Sequence, residues 1–258
     1  MNILITGSNG FIGRNLKFYL NETSSYELHE FTKENSLSNL EEKINHCDVI
    51  VHLAGENRPS NPDDFHKTNY GLTAHIAKLL KEKKKKTNII FTSTIQVDLD
   101  NLYGKSKKNA EKVLLELRNE TNHCVSILRI PGVFGKWCKP NYNSVVATFC
   151  HNIANDIPIE IIDESREIQL VYIDDLVSQI RSLFEEENDK NIEVKEVHQI
   201  SVSDLAEKIN SFHNQRESLF VGDVGSGFNK LLYTTYLTYL PKAKFQYELT
   251  NNMDKRGR

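Results

Sequence analysis

A glycine-rich turn lies near the N-terminus and consists of Thr6-Gly7-Ser8-Asn9-Gly10-Phe11-Ile12-Gly13. It follows a short apolar run at residues 3–5 and opens a segment whose apolar residues have helical spacing. Glycines in such a turn let the backbone bend tightly and approach a pyrophosphate, which then binds at the helix N-terminus. The turn therefore predicts a dinucleotide site, with contacts at Gly7, Asn9, Gly10, Phe11, Ile12 and Gly13.

Short β-branched runs alternate with helical patterns through the first half of the chain. We predict strands at residues 3–6, 27–31, 49–53, 89–93 and 125–130, and a helix near residues 103–117. This alternation is typical of βαβ units, and the nearly continuous apolar character of the strands indicates helices on both faces of the sheet. The predicted fold class is α/β, a doubly wound parallel sheet followed by a small C-terminal lobe.

The second half has a different pattern. Residues 132–143 are expected to form an irregular loop, followed by a helix at 144–154 and strands near 159–162 and 168–173. The segment Ser201-Val202-Ser203-Asp204 resembles a capping box that opens a helix ending near Phe212. The polar residues 251–258 are expected to be frayed.

Composition excludes several classes of protein. The chain has 258 residues, a formal net charge of -3 and four cysteines without a CxxC pair or metal-type spacing to histidine. These features favour a reducing compartment and give no reason to expect a metal site or a nucleic-acid partner. The sequence has no apolar run of the ~20 residues that a membrane span needs and no cleavable leader. We therefore expect a cytoplasmic protein without a membrane partner.

The end of the second strand bears on the choice of cofactor. Thr32 and Lys33 follow the predicted end at Phe31. A hydroxyl and an ammonium suit the 2′-phosphate of NADPH, whereas an acidic residue there would suit the ribose of NAD. Glu30 precedes Phe31, so a strand ending one residue earlier would favour NAD. We expect NADPH, bound in part by Thr32 and Lys33.

Tyr103 and Lys107 are four residues apart, which places both side chains on one helical face. An ammonium near a phenol is expected to lower the phenol pKa from ~10 by favouring the phenolate. Only this one of the ten tyrosines has lysine at that spacing. The preceding predicted strand ends in Thr92-Ser93-Thr94, which brings hydroxyls to the carboxyl edge of the sheet. We predict catalytic roles for Tyr103 and Lys107.

Taken together, these motifs resemble the extended short-chain dehydrogenase/reductase family. Its strand beneath the nicotinamide is similar to residues 49–55, which implies cofactor contacts at Leu53, Ala54 and Gly55, and also at Tyr103 and Lys107. The resemblance implies that Thr94 binds the substrate carbonyl. It also implies a Rossmann domain that binds NADP, formed by residues 1–133 with residues 168–200 returning to it. Residues 134–167 and 201–258 would form the substrate-binding lobe.

A narrower resemblance is to the reductase domain of the CapF-type enzymes of capsular polysaccharide synthesis. It rests on residues 134–150, on Asn57-Arg58-Pro59 and on residues 236–241. The resemblance implies NADPH-dependent reduction of the C4 keto group of a UDP-2-acetamido-2,6-dideoxy-hexos-4-ulose. The product would be the L-talose-configured sugar on the route to UDP-N-acetyl-L-fucosamine. Implied substrate contacts are Arg58, Thr94, Lys136, Trp137, Asn143 and Arg166.

Three departures from that pattern stand out. Gly132 lies where the family usually has Asn, and Ile168 lies where many members have a substrate-binding arginine, for which Arg166 is the candidate replacement. The given sequence ends near where a CapF-type cupin domain would begin, so we expect reduction without the epimerisation that the cupin performs.

Other functions remain open at this point. An NAD-dependent UDP-sugar 4-epimerase and a non-catalytic NADP-binding regulator are the alternatives. A dehydratase would need an Asp-Glu pair after the strand hydroxyl, where this chain has Ile95-Gln96. The resemblance also makes a homodimer plausible, through helices near residues 69–81 and 103–117.

Overall fold

The strands of the computed structural model form two sheets. The structure describes residues 1–185, 190–218 and 220–245. The strands are β1 (Asn2–Thr6), β2 (Glu27–Phe31), β3 (Val49–His52), β4 (Asn88–Thr94), β5 (Cys124–Ile130), β6 (Gly132–Phe134), β7 (Glu167–Tyr172), β8 (Lys190–Ile192) and β9 (Val197–Ser201). The larger sheet has the order β2-β1-β3-β4-β5-β8, and all its pairings are parallel. The smaller sheet has the order β6-β7-β9.

Helices connect these strands. They are α1 (Phe11–Thr23), α2 (Leu37–His46), α3 (Leu72–Glu82), α4 (Leu102–Glu120), α5 (Val145–Ala154), α6 (Ile173–Ser182), α7 (Val202–Ser218) and α8 (Gly227–Leu237). A π-helical segment, Phe65–Gly71, leads directly into α3, and 3-10 helices span Ile95–Asp98 and Lys242–Lys244. Within the described ranges, every helix is too short or too polar to serve as a membrane span.

The core explains why the early strands could be recognised. Ile3, Leu4 and Ile5 of β1, and Ile50 and Val51 of β3, have no exposed surface. Strands buried on both faces need apolar residues at successive positions, which is the pattern of a parallel sheet covered by helices. The chain adds β2 on one side of β1 and β3 on the other. The carboxyl ends of β1 and β3 therefore flank the point where the winding direction reverses, which is where open α/β sheets bind ligands.

The chain divides into two compact units. The first consists of Met1–Phe134 and Gln169–Gln199 and contains the larger sheet. The second consists of Gly135–Ile168 and the described residues from Ile200 onward, where α5, α7 and α8 pack on one another. In this second unit the carboxylate of Asp156, just after α5, lies 3.2 Å (Oδ1–Nε2) from His213 of α7 and also pairs with Lys244 of the last 3-10 helix.

The α/β fold class and its parallel sheet are confirmed, but several local predictions were wrong. Residues 159–162 form no strand. Ile162 is 96% exposed, and an apolar run forms a strand only where a neighbouring strand and a buried surface are available to it. Part of the predicted loop, Gly132–Phe134, is a strand because it pairs with β7. Helix α7 continues past Phe212 to Ser218, although Ser201 caps it as expected, its hydroxyl accepting a bond from Asp204 N at 3.0 Å. The tail 251–258 lies outside the described residues.

Candidate active site

The glycine turn closes against the end of β3. Gly7 has φ +70°, and a Cβ atom there would lie 2.8 Å from Ala54 N, so only glycine fits. A Cβ on Gly13 would overlap the backbone of Gly7 and Ser8. Helix α1 begins at Phe11, and its N-cap Gly10 has no side chain to cap the first amide groups. Those amides lack partners within the helix, so the N-terminus of α1 suits the phosphates of a dinucleotide.

The loop after β3 joins the glycine turn to Lys107. Leu53 N donates to Thr6 O and Ala54 N donates to Thr6 Oγ1, both at 3.2 Å. A Cβ on Gly55 would lie 3.1 Å from Lys107 Nζ and 3.0 Å from Asn69 Oδ1. The three residues predicted on the nicotinamide side therefore connect the glycine turn with helix α4.

Strand β2 ends at Phe31, as the cofactor argument requires. Thr32 follows, and its N and Oγ1 both donate to Asn35 Oδ1, at 2.8 and 3.3 Å. Lys33 is exposed. The carboxylate of Glu30 accepts a bond from Lys17 of α1 at 2.7 Å, and this bond holds the pKa of Glu30 below its usual range. The acidic side chain that could have favoured NAD is thus already paired with a lysine.

Thr94, Tyr103 and Lys107 meet at the carboxyl edge of the sheet. Thr94 is the last residue of β4, and its hydroxyl accepts a bond from Gln96 N at 3.2 Å. Tyr103 is in the first turn of α4 and hydrogen-bonds with Thr94. The ammonium of Lys107 donates to Thr92 O at 3.0 Å and lies over the Phe91 ring. Tyr103 thus interacts with Thr94, and Lys107 reaches the same strand end two residues earlier, at Thr92.

The predicted effect on the phenol was wrong in direction. Burial raises the pKa of Tyr103, and the hydrogen bond with Thr94 only opposes that rise. Burial also lowers the pKa of Lys107 to about 8, against the opposing charge of Glu111. The reason is desolvation, which disfavours phenolate and ammonium alike. A buried phenol that keeps its proton is suited to donate it, as a general acid must.

Close packing fixes the start of α4. Asn101 is the N-cap, and its Oδ1 accepts a bond from Gly104 N at 2.7 Å. A Cβ on Gly104 would collide with Gln96 O of the preceding 3-10 helix. Glycine at this position therefore allows the helix to begin directly against the segment that follows β4, which places Tyr103 beside Thr94.

The π-helical segment holds the buried Asn69, which the resemblance to the extended short-chain dehydrogenases matched to an asparagine of that family without assigning it a role. Its Nδ2 donates to Ser106 Oγ and to Glu56 O, both at 2.9 Å, and its Oδ1 accepts from Glu56 N at 2.8 Å. The side chain therefore ties the loop after β3 to helix α4 between Tyr103 and Lys107. π-Helical turns occur frequently at functional sites, but no residue pattern in the chain predicted this one.

His52 is another buried polar residue, and sequence reasoning gave it no role. Its Nδ1 lies 2.7 Å from Thr6 Oγ1, and its Nε2 lies 2.9 Å from Thr73 Oγ1. Burial, with a smaller contribution from the charge of Lys107, lowers the pKa of His52 to about 3, so the imidazole is neutral at ordinary pH. A histidine inside an otherwise apolar strand was the only available signal.

The residues expected to bind substrate are divided between the two units. Arg58, whose N donates to Glu56 Oε1 at 3.3 Å, belongs to the first unit with Thr94. The other four belong to the second unit: Lys136, Trp137, Asn143 and Arg166. Trp137 has φ +68° and is 42% exposed, with Lys136 Nζ 5.8 Å from its ring centroid. Within the described part of the chain, no group of His, Cys, Asp and Glu side chains could hold a metal ion.

Known proteins resemble this chain in sequence and in fold. A protein of Pseudomonas aeruginosa named UDP-2-acetamido-2,6-beta-L-arabino-hexul-4-ose reductase is 45% identical over 259 residues, an alignment that covers 100% of this chain and 70% of that protein. The structure of the capsular polysaccharide assembling protein CapF from Staphylococcus aureus superposes with a TM-score of 0.87 at 37% identity. It covers 100% of this chain and 70% of that one.

A more distant structure shares the fold alone. The UDP-glucuronic acid 4-epimerase from Bacillus cereus, solved with NAD, has a TM-score of 0.78 at 18% identity, covering 93% of this chain and 96% of that one. The sequence model of the NAD dependent epimerase/dehydratase family matches residues 3–197. The glycine turn, the Thr94–Tyr103–Lys107 arrangement and these similarities lead to one conclusion: the chain belongs to the NAD dependent epimerase/dehydratase family of extended short-chain dehydrogenases.

Proposed function

We propose that this protein is an NADPH-dependent reductase of the C4 keto group of a UDP-2-acetamido-2,6-dideoxy-hexos-4-ulose. The observation that carries the proposal is the convergence of Thr94, Tyr103 and Lys107 in a chain that aligns throughout its length with a protein named as a UDP-sugar 4-keto reductase. The product is the L-talose-configured amino sugar, an intermediate on the route to UDP-N-acetyl-L-fucosamine for capsule or surface polysaccharide.

The reduction needs a proton donor and a group that fixes the carbonyl. The bound cofactor supplies the hydride. Thr94 hydrogen-bonds the carbonyl oxygen, and Tyr103 donates its proton to the same oxygen as negative charge develops there. The raised pKa of Tyr103 keeps the phenol protonated until that charge appears. Lys107 stabilises the phenolate that remains and holds the nicotinamide ribose.

Three parts of the first unit fit the cofactor. The pyrophosphate binds at the N-terminus of α1, where Gly7 and Gly13 leave no room for a side chain. Leu53, Ala54 and Gly55 line the nicotinamide side. Thr32 and the exposed Lys33 bind the 2′-phosphate, and the pairing of Glu30 with Lys17 removes an unpaired carboxylate from this region. This last pairing is what favours NADPH over NADH.

The remaining proposed contacts are made to the substrate. Arg58, Lys136, Asn143 and Arg166 contact the UDP portion or the sugar, and Trp137 provides a stacking face. The enzyme acts in the cytoplasm as a homodimer joined through α3 and α4.

Product identification tests the proposal directly. The protein is incubated with the UDP-4-hexulose and with NADPH that carries deuterium at C4 of the nicotinamide. We expect stoichiometric oxidation of the cofactor and one deuterium at C4 of the sugar, located by NMR. Interconversion of UDP-sugars without net NADPH consumption would instead identify a 4-epimerase. Binding of NADPH without turnover would identify a regulator.

A further inference from the structure

A buried carboxylate lies one helical turn beyond the catalytic lysine. Glu111 is on α4, four residues after Lys107, and only 4% of its surface is exposed. Both of its oxygens have partners. Ser93 Oγ and Arg129 Nε donate to Oε1, the latter at 3.0 Å, and Arg129 Nη2 donates to Oε2 at 2.7 Å. The bidentate pair with arginine is among the stronger hydrogen-bonded arrangements in proteins.

The partners of Glu111 connect it to the site. Ser93 of β4 and Arg129 of β5 are directly paired in the sheet, and Ser93 immediately precedes Thr94. Glu111 therefore joins the helix that carries Tyr103 and Lys107 to the strand end that carries Thr94. A displacement of this carboxylate would change the distance between the carbonyl-binding hydroxyl and the proton donor.

The charges near Lys107 give Glu111 a second effect. Lys107 is almost completely buried, and a buried ammonium persists only if a counter-charge compensates its lost hydration. Strand β3 contributes His52, which is neutral, and the π-helical segment contributes the uncharged Asn69. Glu111 is the charge that opposes the lowering of the Lys107 pKa by burial.

Arg129 moderates this effect. It comes from β5 and is bound to Glu111, and its Nη1 lies 3.6 Å from Asp98 of the 3-10 helix, which in turn pairs with Lys108. The positive charge of Arg129 offsets part of the carboxylate charge that Lys107 experiences.

We propose that Glu111 is a positioning residue that acts through Lys107, keeping it in the ammonium form while holding the end of β4 against α4. The proposal rests on the catalytic role assigned to Lys107 above. Glu111 thereby raises the pH at which the buried Lys107 loses its charge, and with it the alkaline limit of the reductase.

The two members of the pair affect Lys107 in opposite directions. Glu111→Gln keeps the size of the side chain but removes the charge that favours the ammonium, so the Lys107 pKa falls. Arg129→Gln removes a positive charge bound to Glu111, so the Lys107 pKa rises. Removing one nearby charge shifts the pKa of an ionisable group by about one unit.

An NMR titration measures this without any sugar substrate. Protein labelled with ¹³C-lysine is titrated from pH 6 to 10, and the Lys107 signal is assigned by its loss in Lys107→Arg. We expect the midpoint in Glu111→Gln to be lower than in the wild type by about one pH unit, and the midpoint in Arg129→Gln to be higher. Glu116→Gln, the same change at an exposed position of α4, should leave the midpoint unmoved.

The pH profile of kcat/KM provides the functional measurement. If the titration midpoint of Lys107 moves from about 8 to about 7, kcat/KM of Glu111→Gln should fall roughly fivefold at pH 8 and less than twofold at pH 6.5. If both variants melt at a lower temperature but Lys107 keeps its wild-type titration midpoint, Glu111 is only structural and the proposal is wrong. If Glu111→Gln does not fold, an unchanged midpoint in Arg129→Gln refutes the proposal by itself. Shifted midpoints in a protein that reduces no keto sugar would refute the proposed function and leave the role of Glu111 intact.

Discussion

Replacing Tyr103 by Phe removes one oxygen atom and should remove most of the activity. The ring would keep its contact with Phe65, whose centroid is 6.2 Å away, and Thr94 would still donate one hydrogen bond to the carbonyl oxygen. Only the proton donor is lost. General acids contribute about 10²–10⁴-fold, so we expect kcat to fall by about 10³, or ~4 kcal/mol of transition-state stabilisation. NADPH affinity should change by a few-fold at most, because one neutral hydrogen bond contributes only about 1 kcal/mol.

Stopped-flow measurement of NADPH oxidation gives the chemical step, and fluorescence titration gives the dissociation constant of NADPH. Tyr26→Phe is the matched control, since it removes a hydroxyl that bonds Glu185 in the same unit, and it should keep wild-type turnover. Retention of more than ~10% of kcat in Tyr103→Phe would refute the assignment of Tyr103 as the general acid.

The remaining predictions concern cofactor choice, acid stability and assembly. The kcat/KM with NADPH should exceed that with NADH by at least about tenfold, or ~1.4 kcal/mol. Lys33→Glu should weaken or reverse this preference. Equal efficiency with both cofactors would contradict the prediction. Burial lowers the pKa of His52 from 6.5 to about 3, so the unfolded chain takes up the proton first on acidification. The stability contributed by the neutral imidazole is complete above pH 6.5 and is lost as the pH falls towards 3, at up to ~1.4 kcal/mol per pH unit. In urea unfolding measured from pH 7 to 4, the free energy of unfolding should decline less steeply with falling pH for His52→Gln than for the wild type. Equal pH dependence in the two proteins would count against this account. Light scattering at micromolar concentration should show a dimer, and a monomer would exclude the proposed α3 and α4 interface.

The parts of the site that the sequence predicted are local in the chain. The glycine turn occupies eight consecutive residues, and Tyr103 and Lys107 share one helical turn. Their geometry follows from helix periodicity and from the need for glycine at a positive φ. The strand end at Phe31 was also placed correctly: Phe31 is the buried residue of β2, and the chain leaves the strand at Thr32.

The missed features depend on contacts between distant residues. Glu111 meets Ser93 and Arg129 only because β4 and β5 are neighbours and α4 packs across them, and no spacing in the sequence indicates this. The pKa of Tyr103 was predicted in the wrong direction for a related reason. Helical spacing indicates a nearby charge, but it contains no information about burial, and burial is the larger effect here.

The interrupted course of the first unit has an evolutionary consequence. The chain leaves this unit after Phe134 and returns at Gln169, and the strands on either side, β6 and β7, pair with each other from Gly132↔Leu170 to Phe134↔Tyr172. The intervening segment is therefore an excursion anchored at both ends by one sheet. Doubling the length of such a connection costs only about 0.6 kcal/mol of closure entropy. Insertions in the largely exposed stretch at residues 158–163, after α5, can thus accumulate while the strands that carry Thr94 and the glycine turn remain in place.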